Sequence, residues 1–215
     1  MSFLIVRNLP SDLPDLAALY RRVAALPGGL SREPEEISDD WIDGFLGASL
    51  TRGLSLGARV GPERTLVGEI HAYRPFPRAF EHVWSDLTVV VDPRYRAGGI
   101  GSGLLNALLD EVMSDHPEVL RVELLVREGN RRAIHIYEAL GFRREACFEG
   151  RLRSPDGRTE AQIEMAWQRT TRSRVFARPQ SLPGIWVHAK AAAEEPRLAE
   201  KLTPLTPAVA LVLEG

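Results

Sequence analysis

The densest chemical signal in the chain is Arg94-Tyr-Arg-Ala-Gly-Gly-Ile-Gly-Ser-Gly-Leu-Leu105, with glycines at 98, 99, 101 and 103. A β-branched apolar run, Leu87–Val91, stopped by Asp92-Pro93, precedes it. An amphipathic segment carrying Leu104, Leu105, Leu108, Leu109, Val112 and Met113 follows it. Strand, glycine turn and helix in that order aim several backbone N–H groups outward at the positive end of a helix dipole, which makes a cradle for phosphate. Glycine lets a phosphate approach the backbone because no Cβ stands in the way. The stretch is therefore expected to bind a ligand that carries a pyrophosphate.

Other side chains offer proton chemistry. Asn130 and Tyr137 are seven apart, so on a helix over 131–140 they share one face two turns apart. On spacing alone, the stripe Ala133, Ile136, Tyr137 and Leu140 describes an ordinary core face. Asn130, at the helix start, is also a natural N-cap. Glu69 and Asp86 are carboxylates within strand-like segments. His71, His82 and His135 lack a His or carboxylate partner at ligand spacing on one helix, and Cys147 stands alone, so no metal site is expected.

The elements that must position these groups can be read in order. Residues 3–7 predict a strand, and a helix follows to about Leu26, capped by Ser11 or Asp12. A second helix starts at Ser38 and carries Trp41, Ile42, Phe45 and Leu46. Residues 53–60 and 65–73 form a hairpin, and 81–91 a longer strand ending at the glycine turn. After the central helix come a buried strand over 120–127, the helix 131–140 with Gly141 as C-cap, and a hairpin of 142–153 and 159–168 around Ser154-Pro-Asp-Gly157. Residues 169–178, with four arginines and no acid, read as an exposed linker. Beyond it the tail predicts a helix near 189–202 and ends in the apolar run Ala208–Leu213, which either a homodimer or the domain's own sheet edge would bury. The order β-α-α-β-β-β-α-β-α-β-β is that of one α/β sheet with mixed strand directions and helices on both faces.

At 215 residues the chain is long enough for one ordinary domain with an appendage. The net charge of −2 draws the protein toward neither nucleic acid nor an anionic membrane. With one cysteine, and no apolar stretch long enough to span a bilayer, a cytoplasmic location is expected.

Three ligands compete for the glycine turn. A dinucleotide fingerprint wants Gly-x-Gly-x-x-Gly after the first strand, but this turn follows the fourth and its third glycine would fall on Ser102 or Leu104. A Walker loop wants Gly-Lys-Ser/Thr, and no lysine is near. The remaining reading rests on a resemblance. Val91-Asp-Pro-Arg-Tyr-Arg-Ala-Gly-Gly-Ile-Gly-Ser-Gly-Leu-Leu105 resembles the acetyl-CoA-binding motif of the GNAT superfamily of N-acetyltransferases. Asn130-Arg-Arg-Ala-Ile-His-Ile-Tyr-Glu-Ala-Leu-Gly-Phe142 is similar to that family's second hallmark. The resemblance covers about residues 3–168, leaving 169–215 as a linker and C-terminal extension, packed on the domain or on a partner subunit.

The resemblance implies a mixed, mostly antiparallel sheet of about six or seven strands flanked by about four helices. It implies acetyl-CoA as co-substrate, bound by Val89, Val90, Val91, Arg96, Ala97, Gly98, Gly99, Ile100, Gly101, Ser102, Asn130, Ala133 and Tyr137. The implied reaction is direct acetyl transfer to a primary amine of a small molecule, peptide or protein, with Tyr137 protonating the departing thiolate. Some family members carry a glutamate on the strand before the second motif, where this chain has Leu125. That leaves Glu69 as the expected base, with Asp86 or a water chain as alternatives. The competing class is a non-catalytic GNAT-like module that binds acyl-CoA and regulates.

Overall fold

The computed structural model of the protein describes residues 2–26, 29–154, 156–169 and 185–187. The elements are β1 (Leu4–Arg7), α1 (Leu13–Ala24), α2 (Asp39–Arg52), β2 (Gly53–Val60), β3 (Thr65–Tyr73), β4 (Val83–Val91), α3 (Ile100–Asp115), β5 (Arg121–Arg127), α4 (Arg131–Ala139), β6 (Arg143–Arg153), β7 (Thr159–Gln168) and β8 (Ile185–Val187). Through β7 this is the order read from the sequence. The expected tail helix and the apolar run at 208–213 lie outside the described residues.

Local chemistry explains most of the borders. Ser38 accepts the Trp41 N–H and caps α2. Neither Ser11 nor Asp12 caps α1 as expected: the Asp12 carboxylate reaches back to the Leu9 N–H, and Pro10–Asp12 forms a 3-10 turn instead. Arg169 is no exposed linker residue. Its guanidinium donates to the carbonyls of Val112, Met113, His116 and Val119, satisfying the orphan acceptors where α3 ends.

The strands form one sheet in the order β6-β7-β5-β4-β3-β2-β1-β8. Every neighbouring pair is antiparallel except β4 and β5. The short β8, from the tail, adds an eighth strand on the edge of β1. Apolar side chains gather in two clusters. One buries α1 and α2 against β3 and β4 around Leu16, Tyr20, Phe45 and Val90; the other buries α3 and α4 around Trp84, Leu104, Leu108 and Val122. No helix among the described residues is long and apolar enough to cross a membrane.

The break between β4 and β5 creates the site. The two strands pair only at Val83–Arg121 and Trp84–Val122, then part. β5 stays paired with β7 along Arg121–Arg127, and β4 with β3 up to Val91. The C-terminal half of β4 therefore keeps one edge of its backbone unpaired toward the gap. Asp86, at φ 53, sits in a bulge of β4 where two residues oppose one on β3.

Candidate active site

The gap between β4 and β5 widens into a cleft of about 550 Å³. Its floor is Val89, Val90 and Val91 on β4; its far wall is Asn130, Ala133 and Ile136 on α4, and Val23 at the end of α1 closes the near side. At its mouth lies the glycine turn: Arg96, Ala97, Gly99, Ile100, Gly101 and Ser102 all line it.

The turn is built to present amides. Ala97 (φ 68) and Gly99 (φ 79) both adopt the left-handed conformation, and Gly99 is the N-cap of α3. Left-handed residues at such a turn, followed by a helix N-terminus, leave successive N–H groups pointing into one concavity. The first intrahelical bond from this end runs from the Gly103 N–H to the Gly99 carbonyl, so the amides before it have no partner in the helix. The glycines differ in what requires them. A Cβ on Gly103 would press on the Phe3 ring at 3.0 Å, so that glycine serves packing. A Cβ on Gly101 would meet only Val91 Cγ2 at 3.6 Å, ordinary contact, and one on Gly99 would meet nothing within 4 Å. Packing does not require the space above Gly101 to be empty; a ligand lying against the backbone would.

The charges around the cleft are mainly positive. Arg96 and Arg132 line it, and among the described residues no carboxylate pairs with either. Arg127 also lines it but is held by Glu160 at 2.9 Å, and Glu160 accepts the Gly129 N–H at 2.7 Å as well. Burial works against the charge on Glu160, yet the Gly129 N–H and Arg127 hold its carboxyl below the usual range. Beneath the turn, Asp92 accepts from the Arg94 side chain, the Arg94 N–H and Arg22. Arg94 above all, against the opposing effect of burial, lowers its pKa to about 2.

Of the residues singled out by sequence, Val89, Val90, Val91, Arg96, Ala97, Gly99, Ile100, Gly101, Ser102, Asn130 and Ala133 come together on this cleft. Asn130 also caps α4 by accepting the Ala133 N–H, so the N-cap and a cleft-lining residue are one side chain. Gly98 is in the turn but not on the lining. Tyr137 lies in the core behind the α4 wall, 7% exposed and tilted against Phe142 with ring centroids 5.8 Å apart. Burial pushes its hydroxyl up to about 12.

Glu69 is enclosed on the α1/α2 side of the sheet. Tyr20 donates to it at 2.5 Å and Ser55 at 2.8 Å, His71 Nδ1 lies 3.2 Å away, and Phe45 stacks over His71. Burial, then the Glu69 charge, raises the Tyr20 pKa well above its usual value. Both Glu69 oxygens are occupied, and Glu69, like Asp86 and Tyr137, is not on the cleft lining. Asp86 is exposed on the β4 bulge. Its hydrogen bond and charge, after burial, raise the pKa of Tyr73 on the neighbouring strand. Sequence reading missed Ile136 as a lining residue, and also Val23 and Gly129, which no motif marks.

Comparison with known proteins agrees with this geometry. The model of the Acetyltransferase (GNAT) family matches residues 16–142. A stretch of 75 residues is 37% identical to ribosomal protein bS18-alanine N-acetyltransferase of Escherichia coli (strain K12), 35% of this chain and 49% of that protein. The chain thus spans about half the length of the curated relatives it matches. Among solved structures, the acetyltransferase of GNAT family from Streptococcus pneumoniae shares the fold with a TM-score of 0.70 at 22% identity, over 78% of this chain and 99% of that one. A GNAT superfamily phosphinothricin acetyltransferase from Sinorhizobium meliloti, solved in complex with AcCoA, gives 0.64 at 16%, over 78% and 89%. With the family model spanning more than half of the 215 residues, and with the parted β4 and β5 opening onto a glycine turn, the chain belongs to the GNAT acetyltransferase family.

Proposed function

We propose that the protein is an N-acetyltransferase that takes acetyl from acetyl-CoA and delivers it to a primary amine. One observation carries the reading: the unpaired edge of β4 runs directly into the amide cradle at the start of α3. Acetyl-CoA fits both parts. The cradle amides with Arg96 and Arg132 suit its phosphates, and the edge at Val89–Val91 suits the amide-bearing pantetheine arm as an added strand. When bound, it supplies an activated acetyl thioester.

The chain's own groups then do two things. The β4 edge would hold the thioester, with an N–H near Val91 available to its carbonyl oxygen, where negative charge develops. Tyr137, behind the α4 wall rather than on the cleft lining, is kept protonated by burial and would be the proton donor to the departing thiolate with acetyl-CoA in place. Neither carboxylate candidate lines the cleft, so the proton of the incoming amine leaves through a water chain, with Asp86 exposed on the β4 bulge and Glu69 holding Tyr20 and His71 beneath the sheet. The stretch shared with the bS18-alanine N-acetyltransferase makes polypeptide α-amines the first acceptor class to try. These titrate near neutrality, so about a tenth of the population is already deprotonated and nucleophilic at pH 7, far more than for a lysine side chain.

The test is acetylation of a panel of peptide N-termini, polyamines and aminoglycosides by the full chain with acetyl-CoA, followed by mass spectrometry of the acetylated amine. That readout avoids the background of the exposed Cys147 thiol in a thiol-release assay. Turnover on at least one amine is expected. CoA binding without turnover across the panel would replace the enzyme reading with that of an acyl-CoA-binding module.

A further inference from the structure

Asp92 sits where β4 ends and the cradle begins. Its carboxylate is 1% exposed and takes four hydrogen bonds, three from Arg94 and one at 3.0 Å from Arg22 Nε on the last turn of α1. Its N–H donates to the Val67 carbonyl at 2.8 Å, and its own carbonyl accepts the Tyr95 N–H at 2.9 Å. One residue thus fixes β3, the end of β4 and the opening of the glycine turn, and through Arg22 it also holds α1. Val23, the next residue on α1, lines the cleft opposite the turn, whereas Arg22 does not.

We propose that Arg22 and Asp92 form a positioning clamp for the phosphate cradle, locking the end of α1 against the turn so that cleft wall and cradle amides keep one spacing. Arg22 is then a positioning residue for CoA. It acts through Asp92, in an element remote in sequence from both motifs. This rests on the acetyl-CoA reading above.

Charge alone would give a different pattern from position. Arg22, Asp92 and Arg94 together carry one net positive charge. Asp92→Asn adds one more positive charge beside the cradle, so by Coulomb attraction alone it would tighten phosphate binding. Arg22→Met removes one, and would weaken it. A positioning clamp is broken by either change, so both weaken binding.

The experiment is calorimetric titration of CoA into the full chain and the two variants, well below their unfolding temperatures, with circular dichroism confirming that each is folded. Loss of one charge-assisted hydrogen bond in a positioning role corresponds to a Kd about ten-fold higher for each variant. An Asp92→Asn protein that binds CoA as tightly as the parent, or more tightly, overturns the clamp. Should Asp92→Asn not fold, the Arg22→Met to parent Kd ratio is compared at about 50 and about 500 mM NaCl, where exposed charges are progressively screened. A ratio that persists supports position, and one that collapses toward unity overturns it. Absence of CoA binding by the parent chain sinks the acetyltransferase reading itself, whereas binding by the parent with unchanged variants removes only the clamp.

Discussion

A carboxylate buried against two guanidiniums ties stability to pH. Asp92 titrates at about 2 rather than 3.8, so its native interactions favour the charged form. The contribution is complete above the unfolded value and is lost as pH falls from about 4 through about 2, for a total on the order of 2 kcal/mol. Asp92→Asn is expected to lower stability at pH 7 by about that amount while flattening the acid limb of a urea-denaturation series. An unchanged acid limb would show that Asp92 is not the group responsible. Tyr137 behaves in the opposite sense: with its pKa at about 12, the hydroxyl remains a proton donor throughout the neutral range. Tyr137→Phe is expected to lower kcat by about 10²-fold or more with little change in the Kd for CoA, since the ring still fills its place against Phe142. Full activity in that variant would remove the acid role. The glycine turn was legible in the sequence because glycine spacing directly encodes backbone conformation. Glu69 was not legible, because strand alternation says which side chains share a face, not whether helices seal that face over Tyr20, Ser55 and His71.

At the scale of elements, α3 must lie close to the sheet for its first-turn amides to reach the cleft. Gly68 on β3 permits this: a Cβ there would stand 2.9 Å from Ile100 Cγ2 and 3.1 Å from Leu104 Cδ1. Gly68→Ala is expected to cost about 1–3 kcal/mol by pushing the start of α3 outward, and to weaken CoA binding in the same step. Gly101→Ala separates the two effects. Its Cβ has ordinary room in the free protein, and alanine favours helix, so thermal stability is expected to hold or rise by up to about 1 kcal/mol. CoA affinity should nevertheless drop by about ten-fold or more as the methyl group enters the space above the amides. A Gly101→Ala protein that melts early while binding CoA normally would reverse this assignment. Strands and helices were readable because their periodicities and punctuation agree, as in Thr65–Tyr73 and Ile100–Asp115. The bulge at Asp86 was not, since a left-handed aspartate just ahead of the run Leu87–Val91 leaves no mark in the pattern. Arg169 was misread for a related reason: its partners are carbonyls at the far end of α3, which sequence distance hides.

The sheet as a whole is two half-sheets joined at β4 and β5 by a short parallel contact at Val83–Arg121 and Trp84–Val122. No residue pattern announces that two adjacent strands will part. Leu87–Val91 reads as an apolar run and 120–127 as a buried strand, and only the resemblance pointed to Val89–Val91 as a place for the ligand. The geometry makes the ligand part of the architecture, because a molecule hydrogen-bonded along the open β4 edge while held by the cradle braces the gap that the protein leaves unpaired. Two measurements should then move together on adding CoA. At a free concentration one hundred times Kd, mass action adds about 2.7 kcal/mol of stability. For a chain of this size that raises the melting temperature by about 5–10 °C. Hydrogen exchange should slow in peptides covering Val89–Val91 and Gly99–Ser102, the open edge and the cradle, and stay unchanged along β1 and β2, which are paired already. A thermal shift with no protection at Val89–Val91 would mean that CoA is held by its phosphates alone, and that the open edge of β4 is not where the pantetheine arm lies.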